Sequence, residues 1–219
     1  MAKHLDLEEQ EQLDQIKHFW ARYGNAITWV LIVVMGSFAA WNGWNWWQRN
    51  QGAKAAALYE EMDTAAAAKD LERIERVLTD MRADFGGTTF AAQAGLLAAK
   101  VLFENGQTDK ARAALQGVID GSKDAGLQAV ARLRLASVEL EAGQAEAALK
   151  VLQASAPAAF EPLLADRRGD VLMAQGKPDE AKAQYQAAWN ALEPRSDTRR
   201  LVAIKLAALG VAVEPEARS

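Results

Sequence analysis

The sequence predicts an all-α protein in which a single N-terminal transmembrane helix precedes a solenoid of helical hairpins. Two observations carry this prediction. Between Arg22 and Arg49 the chain contains no charged residue, and after Gly52 its composition shifts toward alanine, leucine, glutamine, glutamate and lysine, with one helical phrase recurring three times. A long uncharged stretch is typical of a membrane-spanning helix, and a recurrence at this interval is typical of stacked helical repeats.

The first element is a predicted transmembrane helix at residues 25–48. An α-helix from Ala26 to Trp46 would be roughly 31 Å long, close to the hydrocarbon thickness of a bilayer. Trp20 and Tyr23 precede the stretch and a tryptophan cluster ends it, as is typical of residues at membrane–water interfaces. The residues expected to form the membrane anchor are Ala26, Ile27, Trp29, Val30, Leu31, Ile32, Val33, Val34, Phe38, Trp41, Trp44 and Trp46.

Three interpretations of this apolar stretch compete. A buried core helix would carry some polar face, which is almost absent here, and a cleaved signal peptide has a passable site at Ser37-Phe38-Ala39. A retained anchor is favoured because the preceding segment is long and acidic and because cleavage would leave a tryptophan-rich start. Three basic residues before the helix and two shortly after it favour a cytoplasmic N-terminus and a larger domain across the membrane.

Residues 1–24 are expected to form a cytoplasmic leader. Helical spacing places Leu13, Ile16 and Trp20 on one face, which predicts an amphipathic helix. Two roles remain open for it: a solvated helix that merely continues the anchor, or an interfacial or partner-binding helix.

The repeats begin after the anchor. Three phrases align without gaps, NGQTDKARAALQGV, AGQAEAALKVLQAS and QGKPDEAKAQYQAA. Their glycines, Gly106, Gly143 and Gly176, are 37 and 33 residues apart, near the length of a tetratricopeptide unit of paired antiparallel helices. Each glycine is expected to end a first helix in a left-handed conformation.

Further positions agree among the three phrases, and each has a packing role. Small residues seven before and five after each glycine should let the two helices approach closely, and a larger residue nine after it should fill the space beside the next unit. The small residues are Ala99, Ala136 and Gly169, then Ala111, Ala148 and Ala181; the larger ones are Leu115, Leu152 and Tyr185.

The predicted repeat domain covers residues 49–210, with about four helical hairpins and a capping helix. An atypical first hairpin has Lys69-Asp70 at its turn instead of glycine, as end units of solenoids often depart from the repeat. In the capping helix, Leu201, Ile204 and Leu209 are expected to share one covered face. Residues 211–219 are expected to be a flexible tail.

A solenoid of this kind offers a concave groove lined by the first helix of each unit. Alignment on the glycines predicts that eight residues face this protein-binding groove: Gln93, Leu96, Lys100, Val130, Leu133, Ser137, Asp166 and Asp170. Their mixed polar and apolar character would suit extended or helical peptide segments. Ordinary packing between units is the alternative role for each of them.

Composition excludes several classes of function. Cysteine is absent, and both histidines, His4 and His18, precede the anchor, so the repeat domain has neither a thiolate nucleophile nor a histidine metal site. Charges of both signs are mixed along the chain, with a net charge of −4 and no basic run that would indicate nucleic acid. We therefore predict no enzyme, no cofactor and no metal.

The combined layout adds a resemblance. The leader EEQEQLDQIKHFWARYG, the anchor ending in WNGWNWWQ and a tetratricopeptide domain of this length together resemble the YfgM family over essentially the whole chain. The most specific part is the leader, in which Leu13, Ile16, Lys17, Phe19 and Gly24 stand directly before the anchor.

The resemblance implies a bacterial inner-membrane protein with a cytoplasmic N-terminus and periplasmic repeats. It implies an ancillary subunit and chaperone of the SecYEG translocon that works beside a PpiD-like periplasmic chaperone and binds exported client proteins. It implies no catalytic residues. The alternative that remains is a membrane-anchored periplasmic scaffold for another envelope assembly, such as cell division or outer-membrane biogenesis.

Overall fold

The computed structural model describes residues 7–213, and side chains from residue 12 onward. Every regular element in that part of the chain is an α-helix, which confirms the predicted all-α fold. The helices are α1 (Leu7–Ala68), α2 (Leu71–Phe85), α3 (Thr89–Glu104), α4 (Thr108–Gly121), α5 (Ala125–Glu141), α6 (Ala145–Leu152), α7 (Glu161–Ala174), α8 (Pro178–Ala191) and α9 (Asp197–Ala208). The chain divides into two compact units, Met1–Asn50 and Gln51–Ser219.

The N-terminal unit contains the predicted leader and anchor, both within α1. In the described residues, α1 is the one helix long and apolar enough to cross a membrane, and almost none of its apolar stretch is buried. Val30, Ile32 and Trp41, for example, are between 54% and 68% exposed. The interpretation as a buried core helix is therefore wrong. The leader before Leu7 lies outside the described residues.

The leader continues into the anchor without a break in α1, and its predicted apolar face is exposed. Leu13, Ile16 and Trp20 are 42%, 64% and 59% exposed. The Trp20 indole lies against Gly24, where an added Cβ would come within 3.2 Å of the ring. Phe19 and Tyr23 pair on the same helix, with ring centroids 5.1 Å apart. The residues just before the anchor thus form an aromatic collar of the kind that membrane interfaces accommodate.

The repeat unit consists of antiparallel hairpins whose turns follow the predicted glycines. Gly106, Gly143 and Gly176 have φ of 75°, 74° and 71°. The amide after each glycine donates to the carbonyl five residues back, as in Gln107 N to Leu102 O at 2.8 Å. This is the hydrogen bond of a Schellman motif, which satisfies the last carbonyls of the first helix.

Two further turns share this geometry without belonging to the three aligned phrases. Lys69, which replaces glycine in the first hairpin, has φ of 54°, and Gly210, after α9, has φ of 75°. Asp70 N donates to Ala65 O, and Val211 N donates to Leu206 O, both at 3.0 Å. The repeat register therefore extends over five turns, and α9 is the first helix of a fifth, incomplete unit.

The aligned small positions are buried and their size sets the packing. Ala111, Ala148 and Ala181 are fully buried, and the larger residues nine positions after each glycine are at most 3% exposed. In the first hairpin the two small positions, seven before and five after Lys69, hold the larger Met62 and Ile74, both also fully buried.

The C-terminal helix corrects one expectation. In α9 the buried residues are Val202 and Leu206, whereas Leu201 and Ile204 are 58% and 67% exposed. The predicted covered face of Leu201, Ile204 and Leu209 is thus wrong for its first two members, because α9 packs through the neighbouring helical stripe. Beyond it, Val211 and Val213 pack against the C-terminal core cluster, so the expected flexible tail begins with packed residues. Residues 214–219 lie outside the description.

Candidate protein-binding groove

The predicted groove residues lie on α3, α5 and α7, the first helices of successive hairpins. α3 carries Gln93, Leu96 and Lys100, α5 carries Val130, Leu133 and Ser137, and α7 carries Asp166 and Asp170. The first helices also pack against each other, α3 against α5 and α5 against α7. One face of the solenoid is therefore built from the helices that sequence alignment selected, although their side chains differ in exposure.

The seam between α3 and α5 contains a cavity on this face. Lys100 and Ser137 line one cavity of about 420 Å³ there. Its other lining residues are the apolar or small Ala99, Phe103, Leu115 and Val138, and the charged Glu104, Arg134 and Glu141. The cavity thus has an apolar floor and a rim of both charge signs.

Two contacts fix the rim of this cavity. Arg134 Nη1 donates to the Leu96 carbonyl at 3.0 Å, so its guanidinium spans from α5 to α3. Lys100 Nζ lies 3.9 Å from Glu104 Oε1, and both side chains are more than half exposed. An exposed pair at this distance contributes little to stability, so Lys100 remains available to a ligand.

The apolar members of the predicted set are buried or half-buried. Leu96 is 7% exposed and belongs to the core cluster that also contains Leu102 and Leu115. Val130 and Leu133 are half-buried and pack against core clusters. These three side chains therefore support the face from beneath, while Gln93 and Lys100 stand exposed on it.

The two aspartates are tied to neighbouring helices. Lys205 Nζ on α9 lies 2.7 Å from Asp166 Oδ1 and 2.7 Å from Asp170 Oδ1. Tyr185 on α8 donates its hydroxyl hydrogen to Asp170 Oδ1 at 2.8 Å. Asp166 and Asp170 thus join α7 to α8 and α9, which leaves less of their charge for a bound partner.

Burial shifts the acid–base equilibria within this cluster. It raises the pKa of the Asp166 carboxyl, and the hydrogen bond from Lys205 opposes that shift. Burial raises the pKa of the Tyr185 hydroxyl, and its hydrogen bond to Asp170 adds to the rise. Lys205 Nζ also lies 5.2 Å from the centroid of the Tyr185 ring, within range of a cation–π contact.

Sequence reasoning missed the exposed apolar residues at the C-terminal end of the repeat unit. Met173 at the end of α7 is 40% exposed, and Leu201 and Ile204 of α9, noted above, are exposed as well. Alignment on Gly210 as a fifth turn glycine was the signal that could have found them. Within residues 12–213, where side chains are described, no group of three or more histidine, aspartate or glutamate side chains is placed to hold a metal ion.

Comparison with known proteins gives matches over most of the chain. The family model for the tetratricopeptide repeat-like domain matches residues 17–211. A relative from Neisseria gonorrhoeae, named ancillary SecYEG translocon subunit, is 33% identical over 210 residues, which cover 95% of this chain and all of the relative. A relative of the same name from Escherichia coli is 30% identical over 179 residues, covering 82% of this chain and 86% of the relative.

The extent of these matches bears on the whole architecture. The family match begins at residue 17, ahead of the apolar stretch, and ends at residue 211, just after the fifth turn. The apolar part of α1 and all of the hairpins therefore belong to one shared pattern. The chain belongs to the YfgM family, that of the ancillary SecYEG translocon subunits with a tetratricopeptide repeat-like domain.

Proposed function

We propose that this protein is an ancillary subunit of the SecYEG translocon in the bacterial inner membrane. In this role, its repeat domain binds partner proteins and emerging exported chains on the periplasmic side. The observation that carries the proposal is that a relative matching 95% of this chain, and a second matching 82% of it, are named as such subunits. The groove on α3 and α5 supports the binding part, because its apolar floor and charged rim suit a peptide segment.

The test of translocon association is co-purification of the full-length protein from membranes solubilised in mild detergent. SecY and a PpiD-like periplasmic chaperone are expected among the recovered proteins. Enrichment of cell-division or outer-membrane-assembly proteins without SecY would instead indicate a scaffold for another envelope assembly. Recovery of none of these, from a preparation in which the protein itself is intact, would count against both functions.

Retention of the anchor is the first requirement of the proposal. The family match, which begins at residue 17 and includes the apolar stretch, supports retention. Mass spectrometry of the membrane-extracted protein is expected to find a chain that still contains residues 1–40. A mature chain that begins near Ala40 would show that the segment is a cleaved signal peptide.

Orientation is the second requirement. The excess of basic residues before the anchor supports a cytoplasmic N-terminus. Alkaline phosphatase fused after Ser219 is therefore expected to be active, because this enzyme matures only outside the cytoplasm. An inactive fusion that is stable and present in normal amounts would place the repeats in the cytoplasm.

The groove is tested by reversing a charge on its rim. Lys100→Glu places a second carboxylate beside Glu104 and is expected to weaken client binding without changing helicity, since Lys100 is exposed. Lys150→Glu is the matched control, because Lys150 is an exposed lysine on α6, a second helix. Equal effects of the two substitutions would show that binding depends on overall charge and not on the groove.

A further inference from the structure

The C-terminal end of the repeat unit exposes three large apolar side chains. Met173, Leu201 and Ile204 are 40%, 58% and 67% exposed, and no other large apolar side chain is classed as exposed between residues 51 and 213. All three lie on α7 and α9, the first helices of the last two units. This concentration needs an explanation, because single exposed hydrophobic residues scattered over a surface are normal.

The repeat register places these three side chains on the groove face. Counted from its own turn residue, Met173 holds the position of Phe103, three residues before the glycine. Leu201 and Ile204, nine and six residues before Gly210, hold the positions of Arg134 and Ser137.

Those three counterparts, Phe103, Arg134 and Ser137, all line the cavity between α3 and α5 described above. Lys205 of α9 joins that helix to Asp166 and Asp170 of α7, so the register places the three apolar side chains at positions equivalent to those that line the α3–α5 seam. At these positions the side chains of α7 and α9 are apolar, where two of the three in the α3–α5 seam are polar.

The charges around this apolar patch are paired with each other. Lys205 bridges Asp166 and Asp170. Arg167 lies 3.6 Å from Asp170 on the same helix. Because these charges already have partners, the patch favours an uncharged, apolar ligand.

Two other occupants fit less well. Residues 214–219 are Glu-Pro-Glu-Ala-Arg-Ser and contain no large apolar side chain that could cover the patch. A second copy of the chain would need more surface, because three side chains exposed to this extent present on the order of 300 Å², against about 800 Å² per partner in a stable dimer.

We propose that Met173, Leu201 and Ile204 form an apolar subsite of the groove that binds a short run of aliphatic or aromatic side chains in an unfolded exported chain. This inference rests on the proposed function and specifies its ligand. The groove then has two chemically different parts, a charged rim over α3 and α5, and an end over α7 and α9 where exposed apolar side chains accompany the mutually paired Lys205, Asp166 and Asp170. A chain with hydrophobic side chains beside charged ones can use both.

The experiment compares two fluorescein-labelled peptides, one rich in leucine and serine, and one in which every leucine is replaced by serine. Binding to full-length protein in nanodiscs is measured by fluorescence anisotropy. We expect the leucine peptide to bind and the Leu201→Ser/Ile204→Ser variant to bind it about tenfold more weakly, the change that corresponds to 1.4 kcal/mol. Ala183→Ser/Ala187→Ser, at exposed positions of α8, a second helix, is the control and should bind like the wild type.

Several outcomes would overturn the subsite. These are equal binding of the leucine peptide by the wild type and the Leu201→Ser/Ile204→Ser variant, equal binding of both peptides, or no binding at all. If light scattering shows a dimer that this variant dissociates while peptide binding is unchanged, the patch is instead a self-association surface. Circular dichroism checks that the variant keeps its helicity, as expected for two exposed positions.

Failure of the subsite can be separated from failure of the proposed function. The Leu201→Ser/Ile204→Ser variant should still co-purify with SecY, because the anchor is unchanged. If SecY is recovered and Lys100→Glu weakens binding while this variant does not, the groove function stands and the apolar subsite is wrong. If SecY is absent even with the wild type, the proposed function itself fails.

Discussion

The packing of Gly169 against Tyr185 gives the sharpest test of how residue size sets the hairpin geometry. Gly169 lies on α7 at the small position of its unit, and a Cβ added there would be 2.4 Å from Cε1 of the Tyr185 ring. The ring has little room to move, because Tyr185 is 3% exposed and its hydroxyl is bonded to Asp170. Gly169→Ala must therefore push α7 and α8 apart.

The magnitude follows from two opposing effects. Overpacking of a core costs about 1–3 kcal/mol, while replacement of glycine by alanine inside a helix contributes about 0.5–1 kcal/mol in the other direction. The expected net destabilisation is about 1–2 kcal/mol. For a domain of this size, each kcal/mol lowers Tm by about 2–4 °C.

The assay is a double-mutant cycle measured by thermal and urea unfolding, with circular dichroism as the signal. Tyr185→Leu alone should also destabilise, because it removes ring contacts and the hydrogen bond to Asp170. The double variant recreates the alanine–leucine pairing of Ala99 with Leu115 in the second unit, so it should lose at least about 1 kcal/mol less than the sum of the single losses. Gly52→Ala is the control, since nothing lies within 4 Å of a Cβ at Gly52.

A specific result would refute this reasoning. If the two single effects add to within about 0.5 kcal/mol, the residues are not coupled, and the size pairing is not what brings α7 and α8 together. The same conclusion would follow if Gly169→Ala and Gly52→Ala had equal effects on stability.

Three further predictions concern stability. Lys69→Gly should raise stability by about 1 kcal/mol in urea unfolding, because Lys69 holds a left-handed φ of 54° that disfavours a side chain; an unchanged midpoint would contradict this. Arg112→Ala should cost about 3 kcal/mol because it leaves the buried Glu139 carboxylate without the guanidinium that donates to both of its oxygens, and Arg112→Met/Glu139→Met should recover most of that loss. Lys205→Met should destabilise the protein more at pH 7 than at pH 4. Removal of the Lys205 ammonium raises the folded-state pKa of Asp166 further above its unfolded value of 3.8. The stability of the variant therefore falls as pH rises from the unfolded to the folded pKa of Asp166. A loss of stability that is independent of pH would contradict this prediction.

Local chemistry made the turns predictable from sequence. A left-handed residue is required wherever a Schellman motif ends a helix, so the glycines alone located three turns, and their spacing fixed the register of small and large residues around them. The first turn shows the limit of that rule. Lys69 adopts the same conformation with φ of 54°, because the hairpin packing around it outweighs the local preference for glycine.

Contacts between distant residues were beyond sequence reasoning. Arg82 on α2 donates to the carbonyls of Ala113 and Ala114 on α4, at 3.0 and 2.9 Å. The guanidinium fits only because residue 117 is glycine, where a Cβ would be 2.2 Å from Arg82 Nη2. No periodicity in either helix indicates this contact. The ion pairs of Lys205 with Asp166 and Asp170 could not be predicted for the same reason. Because of them, two predicted groove residues instead connect α7 to α9.

The exposed residues of α9 show why hydrophobic periodicity loses meaning at the end of a solenoid. An inner first helix packs against helices of its own unit and of both adjacent units, so nearly every apolar stripe on it is covered. α9 has no second helix and no following unit within the described chain, and Val202 and Leu206 suffice to seat it. Apolar residues of α9 other than Val202 and Leu206 are therefore not needed to pack this helix against the solenoid. On α3 or α5, packing would be enough to explain apolar residues at these positions. Packing does not explain Leu201 and Ile204 on α9, and we therefore place the apolar subsite there.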